Sequence, residues 1–295
     1  MDRIPPILLA LVCVLAWSFI PIVSRIGQAD IDGLQFLFWT NFLSTLSVGF
    51  VTKNLRIKLA KEFDVIKCSQ TMYLGFLGCF LYYLCIYHGY AKGDSVEVLV
   101  VQYLWPPMIS IFAVFILKER LNARRIISLM LGFMAAVVVL TKGDVFSLDY
   151  SNVSAADSSA LVVTLVGAIS FSLFSVFSKL ERRQDVSLSV FMYFLWATMF
   201  SLITLILWGG LAVPDLASMP VVLINGVFIN GLSYILWIHA LSREDASKIA
   251  PLVYISPVLS VVWISLVFNE NITFMNFIAI SLVIISGMLV TAKQT

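Results

Sequence analysis

Asn230, Tyr234 and Trp237 stand at i, i+4 and i+7 of one apolar stretch. On a helix that spacing puts an amide, a phenol and an indole on one face. Such a stripe can hydrogen-bond the polar end of a small solute and bury or stack on its apolar part. Gln102 and Trp105, three residues apart, share a face in the same way, as do Ser18 and Pro21. Trp17, Trp39, Asn41, Tyr83, Tyr103, Trp196, Tyr254 and Ser256 are the other aromatic and uncharged polar candidates inside apolar runs. Each is a candidate substrate contact. Each also has an ordinary alternative, because Trp and Tyr form interfacial belts and polar side chains tie membrane helices together.

Other chemistry is missing from the pattern. No His-Glu-x-x-His cluster exists, and a metalloprotease needs one. No serine is paired with a histidine, and no acidic cluster could hold a metal for a lipid transferase. The two histidines, His88 and His239, stand near the ends of separate runs. The cysteines, Cys13, Cys68, Cys79 and Cys85, have neither disulfide-framework nor zinc spacing. An enzyme, a metal site and a cofactor are therefore not expected. Nor does any apolar run hold a carboxylate near its middle: Glu97 starts one, and Glu119 and Glu270 end two others. Acids deep in a bilayer usually mark ion paths, so their absence favours facilitated transport or exchange over carboxylate-driven antiport. Glu119 and Glu270 read as structural acids that favour the next helix's N-terminus, with Arg120, Arg124 and Arg125 within reach of the first.

The elements that position these residues must be membrane helices. Of 295 residues, 60% are hydrophobic and 12% charged, about half the roughly 25% charge of a soluble domain. A net charge of +2 without a basic tract excludes nucleic acid as a partner. Ten apolar runs read as helices, at 7–25, 33–51, 71–90, 97–117, 125–141, 159–178, 187–208, 220–241, 249–268 and 273–292. Each is close to the length a bilayer requires, and the alternation of an outer-membrane barrel is absent. With the N-terminus in the cytoplasm, 16 of the 19 Lys and Arg fall on that side. The positive-inside bias then places both termini in the cytoplasm. Pro21, Pro106 and Pro257 lie within runs and are candidate kinks or hinges.

The chain also repeats itself. A shift of 151 residues lays the stretch from Tyr83 on the stretch from Tyr234 without a gap, matching His88 with His239, Tyr103 with Tyr254, Pro106 with Pro257 and Glu119 with Glu270. Each half holds five runs, an odd number, so the second copy enters the membrane from the opposite side. The expected fold is an all-α polytopic membrane protein of ten transmembrane helices in two inverted repeats, 1–143 and 157–295. Inverted repeats are typical of carriers with a site near the midplane. Small residues in the fifth and tenth runs (Gly132, Ala135, Ala136, Ser281, Ser286, Gly287) suit either a homodimer interface or internal packing.

The stretch QYLWPPMISIFAVFILKERL (Gln102–Leu121) resembles the fourth-helix motif of the EamA family in the drug/metabolite transporter superfamily, and AWSFIPIVSR (Ala16–Arg25) is similar to its first helix. The resemblance covers essentially the whole chain. It implies a bacterial inner-membrane carrier with a central cavity shared by the halves and with the fifth and tenth helices set apart. The aromatic amino-acid exporters are among the similar proteins. The expected cargo is a small organic metabolite, an aromatic or hydrophobic amino acid being favoured, with a nucleoside, vitamin or drug-like solute as the alternative and a channel as the distant one. Tyr254-Ile255-Ser256-Pro257 departs from the motif that Tyr103-Leu104-Trp105-Pro106 carries.

Overall fold

A computed structural model describes residues 4–27, 31–52, 54–55, 57, 59, 65–92, 98, 101–141, 155–181, 185–216, 218–268 and 274–291. Among these residues there is no strand. In hydrocarbon each backbone N–H and C=O must be paired within its own segment, which a helix achieves. Proline and aspartate set several starts. Pro6 opens α1 (Pro6–Trp17), where its missing N–H costs nothing. Asp32 caps α3 (Gly33–Val51) by accepting from the N–H groups of Leu34 and Gln35. Asp185 caps α9 (Val186–Trp208) through Leu188 N–H.

Most of the runs that carry the candidate residues are broken helices; α3, with Trp39 and Asn41, and α9, with Trp196, are continuous. The first run is interrupted at Ser18–Phe19 and resumes as α2 (Ile20–Gly27). Pro21 lies in α2, and its ring nitrogen cannot donate to the Trp17 carbonyl, so the break falls just ahead of the proline. The third run is α4 (Val65–Gly75), a π-helical segment Phe76–Leu81, then α5 (Tyr82–Lys92). The eighth has the same plan: α10 (Met219–Ile224), a π segment Asn225–Leu232, then α11 (Ser233–Arg243). In the fourth run a turn at Tyr103–Leu104 precedes α6 (Trp105–Leu117). In the ninth, α12 (Ala246–Ile249) leads through a 3₁₀ segment, Ala250–Tyr254, into α13 (Ile255–Phe268). Pro106 and Pro257 thus mark where an α-helix restarts rather than kinks in one continuous helix.

Unbroken helices complete the bundle: α7 (Ala123–Leu140), α8 (Ala155–Leu180) and α14 (Phe274–Thr291). α3 packs on α9 and on the second π segment, α1 on α11, and α8 on α5 and α6. Gly75 and Gly226, 151 residues apart, permit equivalent close crossings. A Cβ on Gly75 would stand 2.5 Å from the Tyr193 carbonyl on α9, and one on Gly226 2.9 Å from the Thr40 carbonyl on α3.

Contacts between the halves follow the same shift. Tyr83 touches Tyr234, its own counterpart, and Tyr103 touches Tyr254, which only residues close to a two-fold axis can do. α7 and α14 run antiparallel: the Ser128 and Ser286 hydroxyls meet at 2.9 Å, while Ala135 and Ala279 share one buried cluster. The shift carries Ser128 onto Ala279 and Ala135 onto Ser286, exchanging the two contacts. Gly132 is closed by Tyr254, whose ring would lie 2.4 Å from an added Cβ. Gly132, Ala135, Ala136 and Ser286 are therefore used inside the chain, whereas Ser281 is exposed.

Polarity is inverted relative to a soluble protein. Phe50, Phe115, Trp208, Leu216 and Phe274 are exposed, whereas Thr40, Asn41, Ser44, Ser110 and Ser172 are fully buried. Among the described residues, six helical segments are long and apolar enough to cross a bilayer: Gly33–Val51, Cys68–Gly89, Ser159–Leu180, Val186–Trp208, Met219–Arg243 and Ala246–Val267. Pro6–Trp17, Trp105–Leu117 and Phe277–Ser286 are shorter apolar helices. The protein is a multi-pass membrane protein.

Candidate functional site

The helix breaks gather aromatic residues at the centre. Trp17 is the last residue of α1 and Trp105 the first of α6. The Trp17 ring lies 6.0 Å from Trp105, 6.0 Å from Phe171, 6.0 Å from Tyr234 and 5.1 Å from Trp237, mostly edge to face. Trp105 closes the group at 4.8 Å from Phe171 and 5.8 Å from Trp237. Each indole N–H of the opposed pair finds a serine: Trp17 Nε1 donates to Ser233 Oγ at 2.9 Å, and Trp237 Nε1 to Ser175 Oγ at 3.3 Å. Ser172 holds the Trp105 carbonyl at 2.9 Å. Four elements from both halves thus build one aromatic box.

Beside the box lies a polar cluster organised by the first π segment. Three consecutive carbonyls of that segment accept from three other elements: Leu77 from Ser170 Oγ at 2.8 Å, Gly78 from Tyr234 Oη at 3.2 Å and Cys79 from Asn41 Nδ2 at 3.3 Å. Tyr234 Oη also lies 3.2 Å from Tyr83 Oη, which donates to Asn230 Oδ1 at 3.1 Å. With the Asn230 oxygen facing Tyr83, two phenol protons serve these three contacts, and one contact is left without a proton. In this cluster two amide atoms are buried with no partner, Asn41 Oδ1 and Asn230 Nδ2. The carbonyl it meets fixes the Asn41 amide with its oxygen open. Asn230 has its single contact with a hydroxyl, so either orientation of its amide leaves one end open. Buried polar groups are normally satisfied, and these open valences stand where the two halves cross.

Of the sequence-derived candidates, Trp17, Asn41, Tyr83, Trp105, Asn230, Tyr234 and Trp237 come together here. Gln102 borders the cluster by donating to Tyr82 Oη at 2.9 Å. The turn at Tyr103–Leu104 separates Gln102 from Trp105, so the two do not share a continuous helix face. The remaining candidates are elsewhere. Ser18 receives Trp263 Nε1 at 2.8 Å and ties α1 to α13. Trp39 donates to the Ala212 carbonyl at 2.7 Å, at one end of the bundle. Trp196 packs on Phe200, and Tyr103 and Tyr254 pair with each other near α7. The side chain of Pro21 and all of Glu270 lie outside the described residues.

Sequence reasoning missed Phe171, the serines of α8 and the π-segment carbonyls. A usable signal was present in Gly75 and Gly226, which coincide under the repeat shift: Gly75 immediately precedes the first π segment and Gly226 is the second residue of the other.

Glu119 corrects its expected partners. Arg125 N–H is capped by Asn122 at 2.9 Å instead. The Glu119 carboxylate crosses to the second half and takes four hydrogen bonds: Ala246 N–H at 2.9 Å and Lys179 Nζ at 3.2 Å on Oε1, Ser247 N–H at 3.0 Å and Ser247 Oγ at 2.8 Å on Oε2. Burial pushes this carboxyl up, but the N–H groups of Ser247 and Ala246, the Ser247 hydroxyl and Lys179 together hold it below the usual range. Arg125 adds a second bridge, to Ser247 Oγ and Asp245 Oδ2, both at 2.8 Å. Ile4 is at this end, bonded through its carbonyl to Arg243.

Among the described residues no group of three His, Cys, Asp or Glu could hold a metal. A lipid-facing surface, paired halves and an uncharged cluster at their crossing fit the fold of a membrane transporter. The chain belongs to the EamA-like transporter family, whose model matches residues 4–141 and 158–292. It is 25% identical over 287 residues to the "uncharacterized transporter YoaV" of Bacillus subtilis (strain 168), covering 93% of this chain and 92% of that one. It is 24% identical over 274 residues to the "uncharacterized transporter YetK" of the same strain, covering 90% and 81%. A protein of known crystal structure shares the fold with a TM-score of 0.81 at 20% identity, over 97% of this chain and 96% of that one.

Proposed function

We propose that this transporter is a ten-span carrier of the bacterial inner membrane, with both termini cytoplasmic. It moves a small organic metabolite, by preference an aromatic or hydrophobic amino acid, by alternating access. One observation carries the reading: the aromatic box and two buried amides with open valences meet where the halves cross. The box offers ring faces and edges to an apolar side chain. Asn41 Oδ1 offers an acceptor to an ammonium group, and Asn230 offers its open amide end to the rest of the polar head. A cluster without ionised side chains suits a solute of no net charge, and exchange or facilitated flow follows from the lack of carboxylates in the middle of the runs. Rocking one half against the other would expose the cluster to each side in turn.

Counterflow in proteoliposomes tests this. Vesicles are preloaded in turn with aromatic, aliphatic and basic amino acids and with a nucleoside. Uptake of labelled Phe or Trp against aromatic loads is the expected result. Exchange with a nucleoside and with no amino acid would move the cargo to the alternative class, and unsaturable flux would make the protein a channel.

A further inference from the structure

At the end of the bundle that holds Ile4, the halves are joined by charge. The Glu119 side chain is 7% exposed and Lys179 17%. Glu119 follows the last turn of α6, in the first half. Every group that it binds belongs to the second: Lys179 near the end of α8, and the turn from Asp245 into α12. Lys179 also holds the Glu244 carbonyl at 2.6 Å, so one ammonium joins that turn to α8 and to Glu119. Ser247 Oγ donates to Glu119 and accepts from Arg125. Among the described residues, other charges at this knot include Asp245, paired with Arg125, and Glu244 and Lys248, paired with each other at 2.7 Å.

We propose that Glu119 is the bolt of a gate at this end, closed in this structure, which opens when the carboxylate releases Ala246, Ser247 and Lys179 together. Two physical points support an opening device over a permanent weld. A buried carboxylate that loses half its partners keeps most of its desolvation cost, so partial opening is unfavourable and the contact has two states. When fully open, water replaces every lost hydrogen bond, which an apolar seal does not allow. The groups involved also lie on the element ends that must separate if the halves rock. Because its partners hold Glu119 ionised well below neutrality, protons do not work this gate at physiological pH; occupancy of the central cluster would.

The inference rests on the carrier reading, yet its test needs no substrate. Spin labels are placed at the exposed positions Arg120→Cys and Ser242→Cys, in a Cys68→Ser background, since Cys13, Cys79 and Cys85 are buried. Distances are measured by pulsed electron resonance in nanodiscs at neutral pH. The parent should give one narrow short distance. Glu119→Gln should raise a longer population about tenfold, and Lys179→Gln should do so less. The Lys179 variant also serves if Glu119→Gln does not fold. Distributions that superpose on the parent in every variant that folds would overturn the gate, even where counterflow proceeds. A longer population in a protein that exchanges no solute would keep the gate and sink the proposed cargo.

Discussion

Two clusters join the halves of this protein, and they are built from opposite chemistry. At the centre, Trp17, Trp105, Trp237, Tyr83, Tyr234, Asn41 and Asn230 are uncharged, and the group keeps open valences on both amides. At the Ile4 end, Glu119, Lys179, Arg125 and Asp245 are ionic, and both carboxylate oxygens of Glu119 are filled. The difference teaches what each can do. An unsatisfied neutral cluster favours whatever molecule completes it, whereas a satisfied ionic knot resists separation until all of it gives way.

Removing the largest ring should cost the centre most. Trp237 is fully buried, so Trp237→Ala should lower stability by about 3–5 kcal/mol and abolish saturable counterflow, read by thermal unfolding in detergent alongside transport. Next comes the ionic end. Glu119→Gln should cost about 2–3 kcal/mol, below a fully buried pair because Lys179 keeps the Glu244 carbonyl. Its pH signature fixes the sign. A carboxyl held low in the fold stabilises it above its unfolded pKa, and that contribution is lost as pH falls through the folded value. The unfolding midpoint should therefore show no Glu119 contribution to its slope between pH 6 and 8. It should fall on the acid side below the usual carboxylate range, and that component of the fall should vanish in Glu119→Gln.

Smaller effects separate the clusters further. Tyr234→Phe should cost about 1 kcal/mol, and the Tyr83→Phe/Tyr234→Phe double-mutant cycle should show non-additivity, since their hydroxyls share protons; strict additivity would break that network. Asn41→Leu should change stability by no more than about 1 kcal/mol, because one hydrogen bond is lost while one unsatisfied oxygen is removed, yet transport should fall sharply. A large loss of stability with transport intact would make Asn41 a helix tie and not a solute contact. Smallest of all, Arg125→Gln should cost under about 1 kcal/mol, because its Asp245 partner is 47% exposed. High salt should mask that difference.

Much of the architecture was legible because it depends on length and polarity. The runs containing Gly33–Val51 and Val186–Trp208 could be placed from apolar length alone, and the ungapped register from Tyr83 and Tyr234 announced a repeat. The site was legible in part. Tyr234 and Trp237 stood out as aromatic residues on one helix face, but nothing in their spacing separated them from Trp39 or Trp196, which have the same chemistry and lie outside the cluster. Glu119 was readable as a structural acid, while its partners were not, since they come from residues 60 and 128 positions away.

By itself the sequence determined that the chain enters a bilayer, that its halves match and that no carboxylate occupies the middle of a run, because hydropathy, register and residue type are local properties. Tertiary structure alone decided which aromatics meet, that consecutive carbonyls of Phe76–Leu81 receive Ser170, Tyr234 and Asn41, and that Glu119 reaches across to Ser247. The physical reason is that a hydrogen bond or ring contact depends on directions set by helix breaks and crossing helices. Those directions arise only when the two halves pack against each other.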